Sequence, residues 1–247
     1  MPPNFKPMKK PANYLSVGFT LVELLVVIVI IASLAALSLF GLSRMRAAGD
    51  TATAVANIRQ LQIANVSYAT DHNGRYASYF ITDANGNKSY WYKNPSFVAY
   101  LTGDQSQLDV ASPNTAVPLG LLDPTVVRGK TKNYDLLCAS YGMVHDFMTK
   151  RSPEDTERYA TVTEITNPGR SAAFLTTTDL SAKYSGRNLW WSSPVEGKTT
   201  NGKVAYRHSD KAIAVYFDGS SGLISRQDIN RFDATGGVKN VFWNGAY

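Results

Sequence analysis

Residues 18–42 read GFTLVELLVVIVIIASLAALSLFGL, and this stretch decides the architecture of the chain. From Leu24 to Leu42 it contains no charged side chain over 19 residues, about 28 Å of helix, which is close to the thickness of a bilayer's hydrocarbon core. A cleaved secretory signal has a shorter apolar stretch of about 7–15 residues that ends in a small-x-small site. A plain membrane anchor fits the length but gives no reason for Glu23, since an intramembrane carboxylate costs roughly 2.5–3.5 kcal/mol.

The junction around Gly18 resembles the type III signal of prepilins. That signal combines a basic leader, a small residue at the cut, an acid at the fifth mature position and a long apolar run, and all four are present. The resemblance implies a prepilin peptidase that cuts after Gly18 and methylates the new terminus at Phe19. It also implies that Glu23 attracts the terminal amine of a neighbouring subunit. Opposite charges in a low-dielectric setting attract strongly, and pairing removes the penalty on each.

The same reading divides the chain into three parts. Residues 1–18 are the leader, residues 19–46 are the transmembrane and assembly half of the helix, and residues 47–247 are an exported domain. Three leader lysines favour an inner-membrane protein with a cytoplasmic N-terminus and an exported C-terminal domain. By resemblance, the partners are the prepilin peptidase, other pilin or pseudopilin subunits and an inner-membrane assembly platform, and the end point is a periplasmic or surface filament.

The helix is expected to continue past the membrane to Thr70. Residues 47–70 are rich in alanine and carry apolar side chains at helical spacing, which predicts one face packed on a sheet. These side chains are Val55, Ile58, Leu61 and Tyr68. Gly41 and Gly49 leave two readings open, either local bending or melting, or close packing. Gly74 is expected to end the helix.

The exported domain is expected to contain a hairpin and a short helix, followed by a C-terminal half that is mainly β. A hairpin with Asn85-Gly86 at its tip is predicted between 79–81 and 90–92, and a short helix from Asn94-Pro95. Residues 104–130 are interpreted as surface loop. Further strands are predicted in two pairs: 159–165 with 171–177 around a turn at 167–170, and 204–208 with 211–217 around Ser209-Asp210. The predicted fold is α+β: a long N-terminal helix packed on an antiparallel sheet with extended loops, as in pilins.

The C-terminal half contains a second resemblance. His208, followed after nine residues by Asp218-Gly219, resembles the His-X9-Asp-Gly tail of a large group of prepilin-like proteins, as do SYGM (140–143) and TNPGRSAAFL (166–175). The resemblance assigns this tail no chemistry. Ten residues of strand would separate His208 from Asp218 by about 33 Å, far beyond the reach of a catalytic pair. We therefore expect a turn at Asp218-Gly219 and a strand end at His208, or a different partner for each, including an adjoining subunit.

No cofactor is expected, and calcium is the one ion that the sequence leaves open. Asp83, Asn85 and Asn87 alternate as in an ion loop, but Lys88 follows where an EF-hand has glycine and no glutamate closes the loop. A hairpin turn explains the segment better. The three histidines show no zinc spacing: His72, His145 and His208.

Catalysis is not expected either. The single cysteine, Cys138, excludes an internal disulfide and is predicted to be a buried small hydrophobic residue. The chain has no nucleotide loop and no Gly-x-Ser-x-Gly elbow. The sequence therefore predicts that the protein is not an enzyme.

Two functions remain in competition. The leading one is a structural subunit of a type II secretion pseudopilus or related type IV pilus-like envelope filament. The alternative is a membrane-anchored periplasmic ligand-binding protein that uses a prepilin-type anchor without polymerising, with the aromatic-rich stretch 76–100 as its candidate site. A nucleic-acid partner is not expected. The formal charge of +6 includes three leader lysines, so the mature chain carries +3 and shows no cluster of lysine and arginine.

Overall fold

A computed structural model describes residues 19–82, 85–102, 119–129, 140–144, 150–151, 157–178, 181–182, 204–229 and 241–244. The chain divides into two units, residues 1–46 and residues 47–247. The longest element is helix α1, Leu21–Asp71, of 51 residues. Together with two sheets in the second unit, this helix confirms the predicted α+β class.

The N-terminal part of α1 is apolar on every side. The large apolar side chains that the structure describes between Leu21 and Met45 have exposed fractions between 42% and 82%. In the described part of the chain, α1 is the one helix long and apolar enough to span a membrane. Such a continuous apolar surface requires a lipid or protein cover.

The two glycines of α1 lie in continuous helix and have no close neighbours within one chain. The helix runs without a break through Gly41 and Gly49. In the described structure, nothing lies within 4 Å of the position that a Cβ would occupy at either glycine. No melting and no close packing is therefore seen at these positions.

The C-terminal part of α1 packs into the core of the second unit, as its periodicity predicts. Ile58 and Leu61 are fully buried, Tyr68 is buried and Val55 is partly buried, in one cluster with side chains of the larger sheet. The helix ends as predicted. The Gly74 N–H donates to the Ala69 carbonyl at 2.8 Å, and Gly74 has a φ of +75°, a left-handed conformation that favours glycine.

The second unit contains two sheets. The smaller sheet has the order β2-β1-β5-β4 and is antiparallel throughout, with β1 Phe80–Thr82, β2 Lys88–Tyr90, β4 Lys150–Arg151 and β5 Glu157–Tyr159. The larger sheet has the order β7-β3-β6-β8-β9, with β3 Tyr141–Val144, β6 Ala172–Thr176, β7 Ser181–Ala182, β8 Lys211–Tyr216 and β9 Ser221–Ser225. Its pairs are antiparallel except β3 with β7.

Short helices lie between these strands and after the last of them. Among them are α2 (Pro95–Thr102), α3 (Pro124–Gly129) and α4 (Val241–Asn244), with single 3-10 turns at Trp91–Lys93, Leu119–Leu121 and Val162–Glu164. The predicted start of α2 is confirmed, because Asn94 Oδ1 accepts the Ser96 N–H at 3.1 Å. The predicted hairpin is confirmed by the pairing of β1 with β2, although the second strand ends at Tyr90.

Three expectations about the second unit are wrong. Residues 119–129 are not surface loop, since they contain a 3-10 turn and α3, with Leu122 and Val126 buried. Residues 104–118 and 130 lie outside the described residues.

Residues 159–165 are not a strand beside 171–177. A capping box between Thr161 and Glu164 starts a 3-10 turn there, and β5 pairs with β1 and β4. Residues 204–208 form only isolated bridges at Val204 and His208.

Residues 47–247 are expected to fold without the apolar segment, as a soluble monomer with mixed α and β circular dichroism. The unit contains the buried face of α1 and the sheets against which that face packs. Size-exclusion chromatography and urea unfolding are the measurements. A shorter form, residues 58–247, is the control and should lose cooperative unfolding, because it lacks Thr51, Ala54 and Asn57, which contact the rest of the unit. Aggregation of the longer form would contradict the expected boundary.

Candidate functional site

A buried carboxylate at the start of α3 is the centre of the polar interior. Asp123 is fully buried, and its backbone carbonyl accepts the Val126 N–H at 2.9 Å. Its Oδ1 accepts the Thr125 N–H at 2.9 Å and the Thr125 hydroxyl at 2.6 Å. Asp123 is thus the N-cap of α3, and Pro124 occupies the first helical position, where its missing N–H costs nothing.

The other oxygen of Asp123 meets two basic side chains from one segment. Asp123 Oδ2 lies 3.1 Å from His208 Nε2 and 3.2 Å from Arg207 Nη1. The side chains of Asp123, His208 and Arg207 are 0%, 1% and 9% exposed. Arg207 Nη2 also donates to the Thr177 carbonyl. Because charges taken from water need partners, this carboxylate and guanidinium depend on each other.

The cluster also reaches helix α1. His208 Nδ1 lies 3.2 Å from the Thr51 hydroxyl, which is 2.9 Å from the Ala47 carbonyl. A hydroxyl has a single proton. When Thr51 donates to His208, the ring is neutral with its proton on Nε2, facing Asp123. When Thr51 donates to Ala47, both ring nitrogens of His208 donate and the ring is charged.

Two further hydrogen bonds join α1 to the same region. Asn57 Nδ2 donates to the Leu122 carbonyl at 2.9 Å, and the Tyr141 hydroxyl donates to the Ala54 carbonyl at 3.3 Å. Three segments distant in sequence therefore meet at this cluster: α1, the start of α3 and residues 204–208.

Electrostatics keep Asp123 ionised at neutral pH. Burial is the largest single effect and acts against ionisation, but the hydrogen bonds from His208 and Thr125 and the charges of Arg207 and His208 oppose it, and the net result lowers the pKa of Asp123. Burial lowers the pKa of Arg207, against the attraction of Asp123. Burial also raises the pKa of Tyr141, so its hydroxyl remains a donor.

The contacts run in space from an acid through a base to a hydroxyl, namely Asp123, His208 and Thr51. Enzymes use such an arrangement to activate a nucleophile. Here the base is only 1% exposed and shares its carboxylate with Arg207. A reacting substrate atom must come within hydrogen-bond reach of such a base. The enclosed ring of His208 therefore connects Asp123 to Thr51 inside the protein. The sequence-based expectation of no catalysis stays a prediction.

The other end of the tail motif is a tight turn. Asp218 Oδ1 accepts the Ser220 N–H at 2.8 Å and the Ser220 hydroxyl at 2.6 Å. Gly219 has a φ of +83°, and its N–H donates to the Tyr216 carbonyl at 2.9 Å. The turn expected at Asp218-Gly219 is thereby confirmed. Asp218 and His208 are not paired with each other, and each has a partner in its own chain.

The phrase TNPGRSAAFL supports this turn. The Asp218 N–H donates to the Pro168 carbonyl at 3.3 Å. A Cβ at Gly169 would lie 2.8 Å from Asp218 Oδ2, so only glycine admits the carboxylate here without displacement. The predicted turn at 167–170 is present, because the Arg170 N–H donates to the Asn167 carbonyl at 3.0 Å.

The phrase SYGM belongs to the buried cluster. Ser140 Oγ accepts the Asp123 N–H at 3.2 Å, and Tyr141 lies fully buried next in the chain. A Cβ at Gly142 would lie 2.7 Å from Thr177 Oγ1 and 2.8 Å from the Ser181 backbone, which explains the glycine. The motif residues thus meet in pairs, SYGM with His208 through Asp123, and TNPGR with Asp218-Gly219.

Glu23 has a partner within its own chain. Its Oε2 accepts the Thr20 N–H at 2.9 Å and the Thr20 hydroxyl at 2.8 Å, while the Glu23 N–H donates to Thr20 Oγ1 at 3.2 Å. This reciprocal arrangement is a capping box, and α1 begins at the next residue, Leu21. Phe19 is exposed, and Gly18 lies outside the described residues.

The aromatic side chains of 76–100 mostly serve the core. Six of them are buried in the hydrophobic cluster: Tyr76, Tyr79, Phe80, Trp91, Tyr92 and Phe97. His72 stacks on Tyr68 with ring centroids 3.7 Å apart.

Among the described residues, no three histidine, cysteine or acidic side chains are grouped as a metal site would require. Asp83, Cys138 and His145 lie outside the described residues.

Comparisons of the chain with protein-family models, with curated proteins and with solved structures gave no match.

Proposed function

We propose that this chain is the precursor of a filament subunit. A prepilin peptidase removes residues 1–18 and methylates Phe19, and the mature chain joins a type II secretion pseudopilus or a related type IV pilus-like envelope filament. The observation that carries the proposal is the position of Glu23. This carboxylate lies in the first turn of a helix that starts beside the expected cleavage point, inside an otherwise apolar surface.

The apolar part of α1 suits two successive environments. In the inner membrane, lipid covers the side chains between Leu21 and Met45; in a filament, the same helices of neighbouring subunits cover them. A plain anchor needs only the first environment and gains nothing from an acid at Glu23. A filament subunit gains a charge that positions the terminal amine of its neighbour.

The capping box gives Glu23 a second role, which must be separated from the first. Capping uses Oε2 for both Thr20 donors. A carboxylate has about four lone-pair sites on two oxygens, so Oε1 can accept the amine of a neighbouring Phe19 while Oε2 caps its own helix. Glutamine preserves such a cap without the charge. Capping and pairing therefore respond differently to the replacement of Glu23 by glutamine.

The exported unit supports a structural role rather than ligand binding. Trp91 and Phe97, which would line an aromatic ligand site, have no exposed surface and pack in the core. A membrane-anchored ligand-binding protein is therefore not favoured by the described residues. It remains an outcome of the filament assay described below.

Processing gives the first test of this proposal. Intact-mass analysis of protein purified from membranes is expected to show loss of residues 1–18 and addition of one methyl group, because the junction at Gly18 and Phe19 separates the basic leader from the apolar run. Gly18→Leu is the matched variant and should retain the leader. A mature chain that starts near Ala35 or Ala36 would identify an ordinary signal peptide and contradict the proposal.

A further inference from the structure

We propose that the tail motif is a two-point clamp that fixes helix α1 in register on strand β8. His208 holds the helix at one end of the strand, and the Asp218-Gly219 turn holds it at the other. This role depends only on contacts within one chain and is independent of filament formation.

The first point of the clamp is the contact of His208 with Thr51. The ring of His208 is held on both sides, by Asp123 at 3.1 Å and by the Thr51 hydroxyl at 3.2 Å. Asp123 is itself fixed as the N-cap of α3. A partly buried, directional bond therefore ends on a single turn of α1.

The second point lies at the other end of β8. The Phe217 carbonyl accepts the Gln62 side-chain N–H at 2.9 Å, and the Gly219 carbonyl accepts Arg59 Nε at 3.3 Å. Gln62 is fully buried and also accepts from Asn65 Nδ2. These carbonyls are aimed by the turn that Asp218 and Gly219 form.

The nine-residue spacing of the motif follows from this geometry. The Ser209-Asp210 turn, with φ of 53° and 58°, folds His208 back beside Lys211. The span between the two points is therefore β8 and the following residue, about 20 Å at 3.3 Å per residue. On α1, Thr51 and Gln62 are eleven residues apart, about 16 Å. The two spans match within the length of the side chains.

Directional bonds add to what the apolar contacts specify about the register. The buried apolar side chains are both large and small: Ile213, Val215, Ala212 and Ala214 on β8, and Ile58, Leu61, Ala54 and Ala64 on α1. Burial of apolar surface is itself non-directional. Buried polar contacts fix register in other helical assemblies. The directional bonds at the two ends of β8 supply that information here.

Hydrogen exchange of the full-length chain in detergent tests the clamp. Thr51→Val removes the first point. Gln62→Met removes both hydrogen bonds of the Gln62 side chain and leaves only the Arg59 contact at the second point. Thr53→Val and Gln60→Met are exposed neighbouring controls. These losses are expected to speed exchange locally by at least about tenfold, in residues 51–57 for the first variant and 58–64 for the second. The controls and the amides of β6 should change by less than about twofold.

The double variant distinguishes a clamp from two unrelated bonds. Sites farther apart than about 10 Å normally act independently. A clamp predicts that Thr51→Val with Gln62→Met accelerates exchange of residues 51–64 by more than the product of the single effects, because either point alone still holds the helix. A purely multiplicative effect, no local effect, or equal acceleration in β6 would overturn the proposal. Thr51→Val leaves the Asp123–His208 pair in place, so the fold is retained in the test.

Discussion

Replacing Asp123 by asparagine is expected to lower the free energy of unfolding by about 3–5 kcal/mol, the usual cost of leaving a buried charge without its partner. Asparagine retains the N-cap of α3, because its side-chain oxygen can still accept from Thr125. What the variant loses is the negative charge beside Arg207, whose side chain is only 9% exposed. The effect therefore reports on the ion pair rather than on helix capping.

Urea unfolding of residues 47–247 at neutral pH is the measurement. Asp210→Asn is the matched control, since Asp210 is exposed and asparagine tolerates its left-handed backbone; it should change stability by less than about 0.5 kcal/mol. A loss below about 1 kcal/mol for Asp123→Asn would show that the pair contributes little.

The same variant should change the response to acid. Because the pKa of Asp123 is lowered in the folded state, its contribution to stability is complete above the ordinary value of 3.8 and is lost as the pH falls through the folded-state pKa. The stability of the wild type should therefore fall more steeply below pH 3.8 than that of Asp123→Asn. The two unfolding curves should approach each other in strong acid.

Local patterns in the sequence predicted the elements that depend on local chemistry. The long helix, its end at Gly74, the hairpin at Asn85-Gly86 and the start of α2 follow from periodicity, capping and turn residues. The prediction of a surface loop over 119–129 is wrong because proline and glycine occur both in loops and at the ends of helices. The burial of Leu122 and Val126, which a local pattern does not show, distinguishes the two structures.

The candidate site depended on contacts that no local pattern contains. Asp123 and His208 are 85 positions apart in sequence, and Thr51 and His208 are 157 apart. The pairing of β5 with the distant β1, as well as with its sequence neighbour β4, likewise depends on the tertiary fold. The Thr20–Glu23 capping box is different, since its Thr-x-x-Glu spacing was visible in the sequence. The cost of an intramembrane carboxylate predicts a partner for Glu23 but does not specify whether that partner lies in a neighbouring subunit or in the same chain.

Replacing Glu23 by valine is expected to abolish efficient polymerisation while insertion and cleavage continue. Valine removes a charge that is costly in the bilayer, so the isolated subunit should be anchored at least as stably. What is lost is the attraction to the neighbouring amine of Phe19, which would be buried without a partner at a cost of about 3–5 kcal/mol. A drop in filament yield of at least about tenfold is expected.

Two matched variants separate this pairing from capping. Glu23→Gln preserves the cap but removes the charge. Thr20→Val removes the side chain that completes the cap but preserves the charge, at a cost to the helix start of about 0.5–2 kcal/mol. All variants must be compared at equal levels of processed protein, so that differences in cleavage do not appear as differences in assembly.

The decisive measurement is the yield of sheared filaments from cells that contain the full assembly machinery. The proposal predicts filaments from the wild type, yields within about twofold of wild type for Thr20→Val, and a loss of at least about tenfold for both Glu23→Gln and Glu23→Val. Normal yield from Glu23→Gln together with loss from Thr20→Val would show that Glu23 only caps its helix. Absence of filaments from the wild type would contradict the filament subunit itself and favour a membrane-anchored ligand-binding protein.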